Sequence, residues 1–383
     1  MAANGSHLPG LQGLRGVAAL AIVVFHTAYV PRPALPMPWL LGWIVPHLWV
    51  GVTLFFILSA FLLLQANHAL ADRPGWLAGY AIRRYFRIAP LFYAMLAFYA
   101  WEYPAPTLTA WTAIANLLFV FNPLPGPHVS LVWAGWTMGV EMPFYALFPL
   151  VLYHVRGIGT ATVLLVVTAV LAIGSRAALF RLVPDQPSFA LLALPSNLVI
   201  FAAGICAWHV GQQLSPRRFT TWWLPASAVS GLILLAVLFP VARPDEPPSM
   251  ADGRPDLLLW VAPLALVCLW QAIAPSRVLA GRTMQWVGAR SFSCYLLHPL
   301  VIWVTWENGG YAAIGRALGP FIGAWSFVVS AAATVAITLV LSTATYALIE
   351  LPGQSAGRWC SARLQRARAT VKSAANTLRY PVP

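Results

Sequence analysis

Apolar stretches of about twenty residues, separated by short basic or proline-containing connections, recur along the whole of this 383-residue chain. A helix rising about 1.5 Å per residue needs roughly twenty residues to cross a hydrocarbon core of about 30 Å, and in lipid its backbone must bond within the segment. Ten such segments are expected, at roughly 11–29, 44–64, 82–101, 140–153, 160–174, 190–208, 222–240, 257–273, 291–306 and 321–349. The fourth and fifth are short, and the tenth is long enough to run past the bilayer. A further apolar piece, 113–121, is too brief to cross and is expected to be interfacial or re-entrant. The fold class that follows is all-α, a polytopic integral membrane bundle. One membrane domain covers residues 1–353, and a basic cytoplasmic tail covers 354–383.

Composition agrees with lipid as the solvent. The chain is 60% apolar and 9% charged, against about 45–50% and about 25% in an ordinary globular domain. Its 18 Trp and 12 Tyr suit interfacial belts. With the N-terminus inside, 17 of the 23 Lys and Arg fall on the cytoplasmic side, while Asp245, Glu246, Asp252 and Asp256 share one outer loop. Both termini are therefore expected in the cytoplasm, in a multi-pass protein of the inner or plasma membrane. On a soluble chain a charge of +13 would point to nucleic acid, but no RNA- or DNA-binding pattern accompanies it and no such partner is expected.

Four cysteines (Cys206, Cys268, Cys294 and Cys360) stand singly, so neither a disulfide framework nor a metal site is expected. No small-residue cleavage site follows Val30, and the first helix is expected to be retained. There is no internal repeat and no matched pair of broken helices of the kind transporters carry. Arg358, Arg363, Arg366, Arg368 and Lys372 are expected on an amphipathic or disordered segment against anionic lipid.

Chemistry concentrates first in 11–26, where Arg15 stands at the mouth of a span and His26 about halfway through it. Eleven steps of about 100° are three turns plus roughly 20°, so the two side chains share a face about 16 Å apart along the axis. Ionisable groups at that depth normally face the bundle interior or a watery cavity. The pair looks like two ends of a binding channel. A satisfied core histidine is the alternative for His26. Arg84 and Arg87, three apart in Arg83-Arg84-Tyr85-Phe86-Arg87, share a face. They serve either as a topology anchor or as guanidinium forks for phosphate. Glu141, in Trp136-Thr137-Met138-Gly139-Val140-Glu141, opens the fourth span on the outer side, where the helix dipole also favours an acid. Ser291, Tyr295 and His298 recur at helical spacing, and His298 is equally a core histidine. Glu350 stands at a helix end, unfavourable to the dipole, and is expected to be structural with an Arg partner.

Taken in order, these stretches resemble the membrane acyltransferase-3 family. Leu11-x-Gly13-Leu14-Arg15-Gly16 with His26 is similar to its opening. Phe55-Phe56-x-Leu58-Ser59-Ala60-Phe61 is similar to its Phe-Phe-x-Leu-Ser-Gly-Phe, with Ala60 in the place of Gly. Arg84 and Arg87 match its Arg-x-x-Arg. Glu141 matches the first Glu of its Trp-Ser-Leu-x-Val-Glu-Glu-Gln, with Met142 and Pro143 replacing the next two residues. Ser291 to His298 and Glu350-Leu351-Pro352 match its closing motifs. The resemblance covers about residues 8–352.

It implies a polytopic O-acyltransferase that moves an acyl group, most often acetyl, from acyl-CoA to a hydroxyl of a carbohydrate acceptor. His26 would be the general base, or carry the acyl group itself in a relay. Glu141 would orient His26 or bind the acceptor, and Arg15, Arg84 and Arg87 would hold the charged end of acyl-CoA. Tyr295, His298 and Ser291 would be acceptor-side or structural. Acyl-CoA is a co-substrate, and no permanently bound cofactor or metal is expected. No soluble second domain is apparent, so one protein would perform the whole transfer or borrow a separate partner. The alternative is a proton-coupled transporter or flippase of a glycan or lipid precursor, with His26 and Glu141 as a relay.

Overall fold

A computed structural model describes residues 8–102, 108–214, 223–238 and 256–379. The loop charges at Arg217, Arg218, Arg243, Asp245, Glu246, Asp252 and Arg254 lie outside these residues. Helices make up the fold, and no strand occurs among the described residues. Ten helices position the site: α1 (Pro9–Tyr29), α2 (Gly51–Asn67), α3 (Trp76–Glu102), α4 (Trp136–His154), α5 (Ile158–Leu182), α6 (Leu194–Gln213), α7 (Arg282–Ala289), α8 (Ser291–Glu307), α9 (Ser326–Thr345) and α10 (Leu351–Arg379).

The protein is a membrane protein by its helices. Five segments are by themselves long and apolar enough to cross a bilayer, and a sixth is added if the bent pair α7–α8 counts as one span. Some expected spans fall short of that measure for visible reasons. Three arginines interrupt α3, and Val261–Ile273 has 13 residues, only about 20 Å of helix. In the fifth expected span the sequence underestimated length, since α5 runs to 25 residues. The piece expected to stop short of crossing is an eight-residue helix, Ala110–Leu117, closed at its start by reciprocal Thr109–Thr112 bonds of 3.1 and 2.9 Å. Phe321, expected in the last span, belongs instead to a separate helix, Gly310–Ile322.

Around α1 the bundle closes. Leu11, Leu14, Ala18, Ala19, Ile22 and Val23 are almost wholly buried, and α1 packs on α2, α7, α8 and α9. Contact with α7 and the segment before it is backbone on backbone. A Cβ at Gly13 would overlap the Leu279 carbonyl, and one at Gly288 would overlap that of Gln12. Glycine is needed at both places because the chains approach too closely for any side chain, the small-residue device by which helices pack in lipid. A second tie comes from aromatic stacking. Phe201 of α6 lies 4.7 Å from Phe56 of α2 and 3.9 Å from Phe144 of α4, centroid to centroid; each such pair contributes about 0.5–1.5 kcal/mol beyond area.

The basic tail is helical, and its start is not a break. After the π-helical turn Tyr346–Glu350, α10 begins at Leu351 and runs on through 353 and 354. It lies on α3, with Gly353 beside Pro90, Gly357 beside Phe86, and Arg83 Nη1 donating to Ser361 Oγ at 3.2 Å.

Candidate active site

Seven helices and the π-helical turn line a partly open cavity of about 390 Å³. Its walls follow helical periodicity. Phe55, Ser59 and Leu62 face it from α2, Arg84 and Arg87 from α3, and Thr137, Glu141 and Tyr145 from α4. Steps of three and four residues place each set on one side of its helix. Gln12 and Arg15 come from α1, Ser291 and Tyr295 from α8, and Tyr346 and Glu350 from the turn before α10.

Three guanidinium groups and two carboxylates therefore share one small space. Arg15 Nε donates to Ser291 Oγ at 3.3 Å, and it lies within electrostatic reach of Arg87, Glu141 and Glu350. Arg84 sits 5.7 Å above the Tyr145 ring. Ser59 Oγ and Tyr145 OH are 2.7 Å apart, and both line the cavity beside Glu141. The arginines outnumber the acids and are braced by polar partners, so the cavity suits an anionic ligand with a narrow, partly apolar portion.

Several expectations need correcting. α3 begins at Trp76, not near residue 82, so Arg84 and Arg87 sit two to three turns inside the helix and at the same level as Glu141. Glu141 lies among the arginines; the side chain hydrogen-bonded to His26 is His298. Glu350 is more than a helix-end residue. It lines the cavity, accepts from the Ser293 backbone N–H at 3.1 Å and is bonded to the Ser293 hydroxyl, so it caps the first turn of α8 from another element. Arg15 lines the cavity, and His26 is not among its lining residues.

His26 lies beyond the wall formed by Tyr295. The Tyr295 ring is 5.8 Å from Phe55 and 5.7 Å from the fully buried His298. The imidazoles of His26 and His298 are stacked 4.9 Å apart, with Nδ1 of His26 2.8 Å from Nε2 of His298. Ser291 and Tyr295 thus face the cavity, and His298, the third member of that face, faces His26. Among the described residues no group of three or more His, Cys, Asp or Glu side chains could hold a metal ion.

Gln12, Ser59, Tyr145 and Glu350 were not singled out as site residues by sequence reasoning. Ser59 stands inside the quoted Phe55–Phe61 motif, four residues from Phe55, and Tyr145 follows Glu141 by four, and that spacing is the available signal.

Fold and site together define a polytopic membrane protein with a partly open, arginine-lined cavity. A family model described as an acyltransferase domain matches residues 8–346, and the chain belongs to this acyltransferase family. A peptidoglycan O-acetyltransferase of Listeria monocytogenes is 22% identical over 339 residues, 78% of this chain and 50% of that protein. A Bacillus subtilis protein provisionally named a peptidoglycan O-acetyltransferase is 23% identical over 389 residues, 92% of this chain and 55% of that protein. A Staphylococcus aureus protein provisionally named an O-acetyltransferase is 22% identical over 345 residues, 77% of this chain and 51% of that protein. The chain spans about half the length of these curated relatives. No solved structure matches it.

Proposed function

We propose that this protein is a plasma-membrane O-acyltransferase of about ten spans with both termini in the cytoplasm, and that it moves acetyl from acetyl-CoA to a hydroxyl of a carbohydrate outside the membrane. The observation that carries the proposal is the arginine cavity lined by Tyr295, whose ring abuts the stacked His298–His26 pair. Arg15, Arg84 and Arg87 supply bidentate donors for the phosphates of CoA. The apolar wall of Phe55, Leu62 and Tyr295 suits the thioester arm. Motion of the Tyr295 layer would bring the thioester to His26. The names of the relatives support a cell-wall glycan as acceptor.

In the transfer, the acceptor oxygen bonds to the thioester carbonyl carbon and the C–S bond breaks. His26 takes the hydroxyl proton during attack and returns it to the leaving sulfur, so acetyl-CoA and the alcohol become the ester and CoA–SH. General-base work of this kind is worth about 10²–10⁴ in rate.

The test is titration calorimetry with CoA, together with acetyl-CoA turnover, on purified wild type and His26→Ala. The expected result is CoA binding by both and turnover by wild type alone. If neither binds nor turns over, the donor assignment fails, and a transporter with His26 in its pathway takes its place.

A further inference from the structure

The contact between the two histidines has a direction that the chain itself imposes. Pro299 occupies the position whose backbone N–H would bond the carbonyl of Tyr295 in a regular helix, and proline has no N–H. The carbonyl left over is taken by His298, whose Nδ1 lies 2.6 Å from it. A carbonyl only accepts, so the proton of the neutral His298 ring is on Nδ1, and its Nε2 carries a lone pair. That lone pair faces Nδ1 of His26 at 2.8 Å, which must then be the protonated nitrogen of His26.

We infer that His298 is a positioning residue for the transfer: the Tyr295 carbonyl, His298 and His26 form a chain that fixes His26 with its proton on Nδ1 and leaves Nε2 as the basic nitrogen. This rests on His26 being the general base. The stacked rings also hold the imidazole plane, 22° from that of its partner, so His26 needs no reorientation before it accepts a proton. A buried carboxylate does this for the histidine of a serine-hydrolase triad, where the wrong tautomer costs about 10⁴ in kcat. In a hydrocarbon core a neutral imidazole tied to a carbonyl gives the same orientation without burying a charge.

Two substitutions separate positioning from mere support of α8. Gln at position 298 places its carbonyl oxygen near the site of Nε2 and keeps the acceptor for His26. Asn places its amide near the site of Nδ1, keeps the Tyr295 carbonyl served and loses His26. Acetyl transfer by His298→Gln is expected within about tenfold of wild type, and His298→Asn about 100-fold lower in kcat, both with the KM for acetyl-CoA nearly unchanged. If the Asn variant works as well as the Gln variant or better, or if KM changes in place of kcat, the role is structural and the inference is overturned.

A second readout needs no activity. In protein labelled with ¹⁵N-histidine and reconstituted in lipid nanodiscs, the His26 resonances, assigned by their loss in His26→Ala, are expected to show the proton on Nδ1 in wild type. A proton on Nε2 refutes the chain of bonds even if both variants fail to fold. Should His26→Ala keep full transfer activity, the base assignment fails while the NMR result still decides the tautomer.

Discussion

α1 and α5 are both long apolar helices, and α5 is the more hydropathic of the two. In water the more apolar helix would be the buried one. Here the order is reversed. α1 is at the centre of the bundle, whereas Val163, Val166, Val167, Val170 and Ile173 of α5 are 57–66% exposed. Lipid tails are as apolar as Val, so nothing drives such side chains together. Position is decided by what lipid cannot satisfy. α1 carries Gln12, Arg15 and His26, together with glycines that let backbones touch. α5 turns inward only a narrow stripe, Ala161, Thr168, Ala172 and Arg176, with the Arg176 guanidinium on the Ser196 carbonyl at 3.1 Å. Polar side chains and close backbone contacts, more than hydropathy, mark the working core of a membrane protein.

Substitutions in the two helices sharpen the comparison. The largest expected effect is His26→Ala, a loss of about 10²–10⁴ in acetyl transfer with CoA binding retained, read by single-turnover assay and calorimetry. Next comes Arg15→Lys, which keeps the charge and loses the fork; it is expected to weaken CoA binding about tenfold, seen as a raised KM for acetyl-CoA. Gly288→Val forces α7 away from Gln12 of α1 and is expected to destabilise by about 1–3 kcal/mol, measured as a lower midpoint in thermal unfolding in detergent. Val170→Ala on α5 should stay within about 0.5 kcal/mol of wild type and leave turnover unchanged. If Val170→Ala costs as much as Gly288→Val, the outward face of α5 is a packed surface and the contrast between the helices breaks.

Much of α1 was legible in the sequence because a charged residue in an apolar run has few places to go. The spacing of Arg15 and His26 put both on an inward face, and both face inward, Arg15 to the cavity and His26 to His298. Periodicity within one helix also grouped Arg84 with Arg87 and Ser291 with Tyr295. Pairings between helices were not legible. The bond from His26 spans 272 residues of sequence and that from Glu350 to Ser293 spans 57, and nothing local announces either. Glu350 was misread for that reason: an acid at the end of its own helix is unfavourable, yet it sits at the start of another, where the sign of the dipole reverses. The start of α3 was missed because Arg83, Arg84 and Arg87 lower the hydropathy of a helix that nevertheless continues through them.

The backbone contact of Gly13 with Leu279, and of Gln12 with Gly288, has a consequence for synthesis. The two sides of that seam are made about 270 residues apart, an interval of roughly 15–50 s at ordinary elongation rates. Throughout that interval α1 can meet α2, α3 and α4 around Arg15, but its imidazole and its glycine groove lack His298, Leu279 and Gly288. It reaches its final place only when α7 arrives to close the groove. A chain cut short before residue 279 therefore lacks the backbone that covers the glycine face of α1.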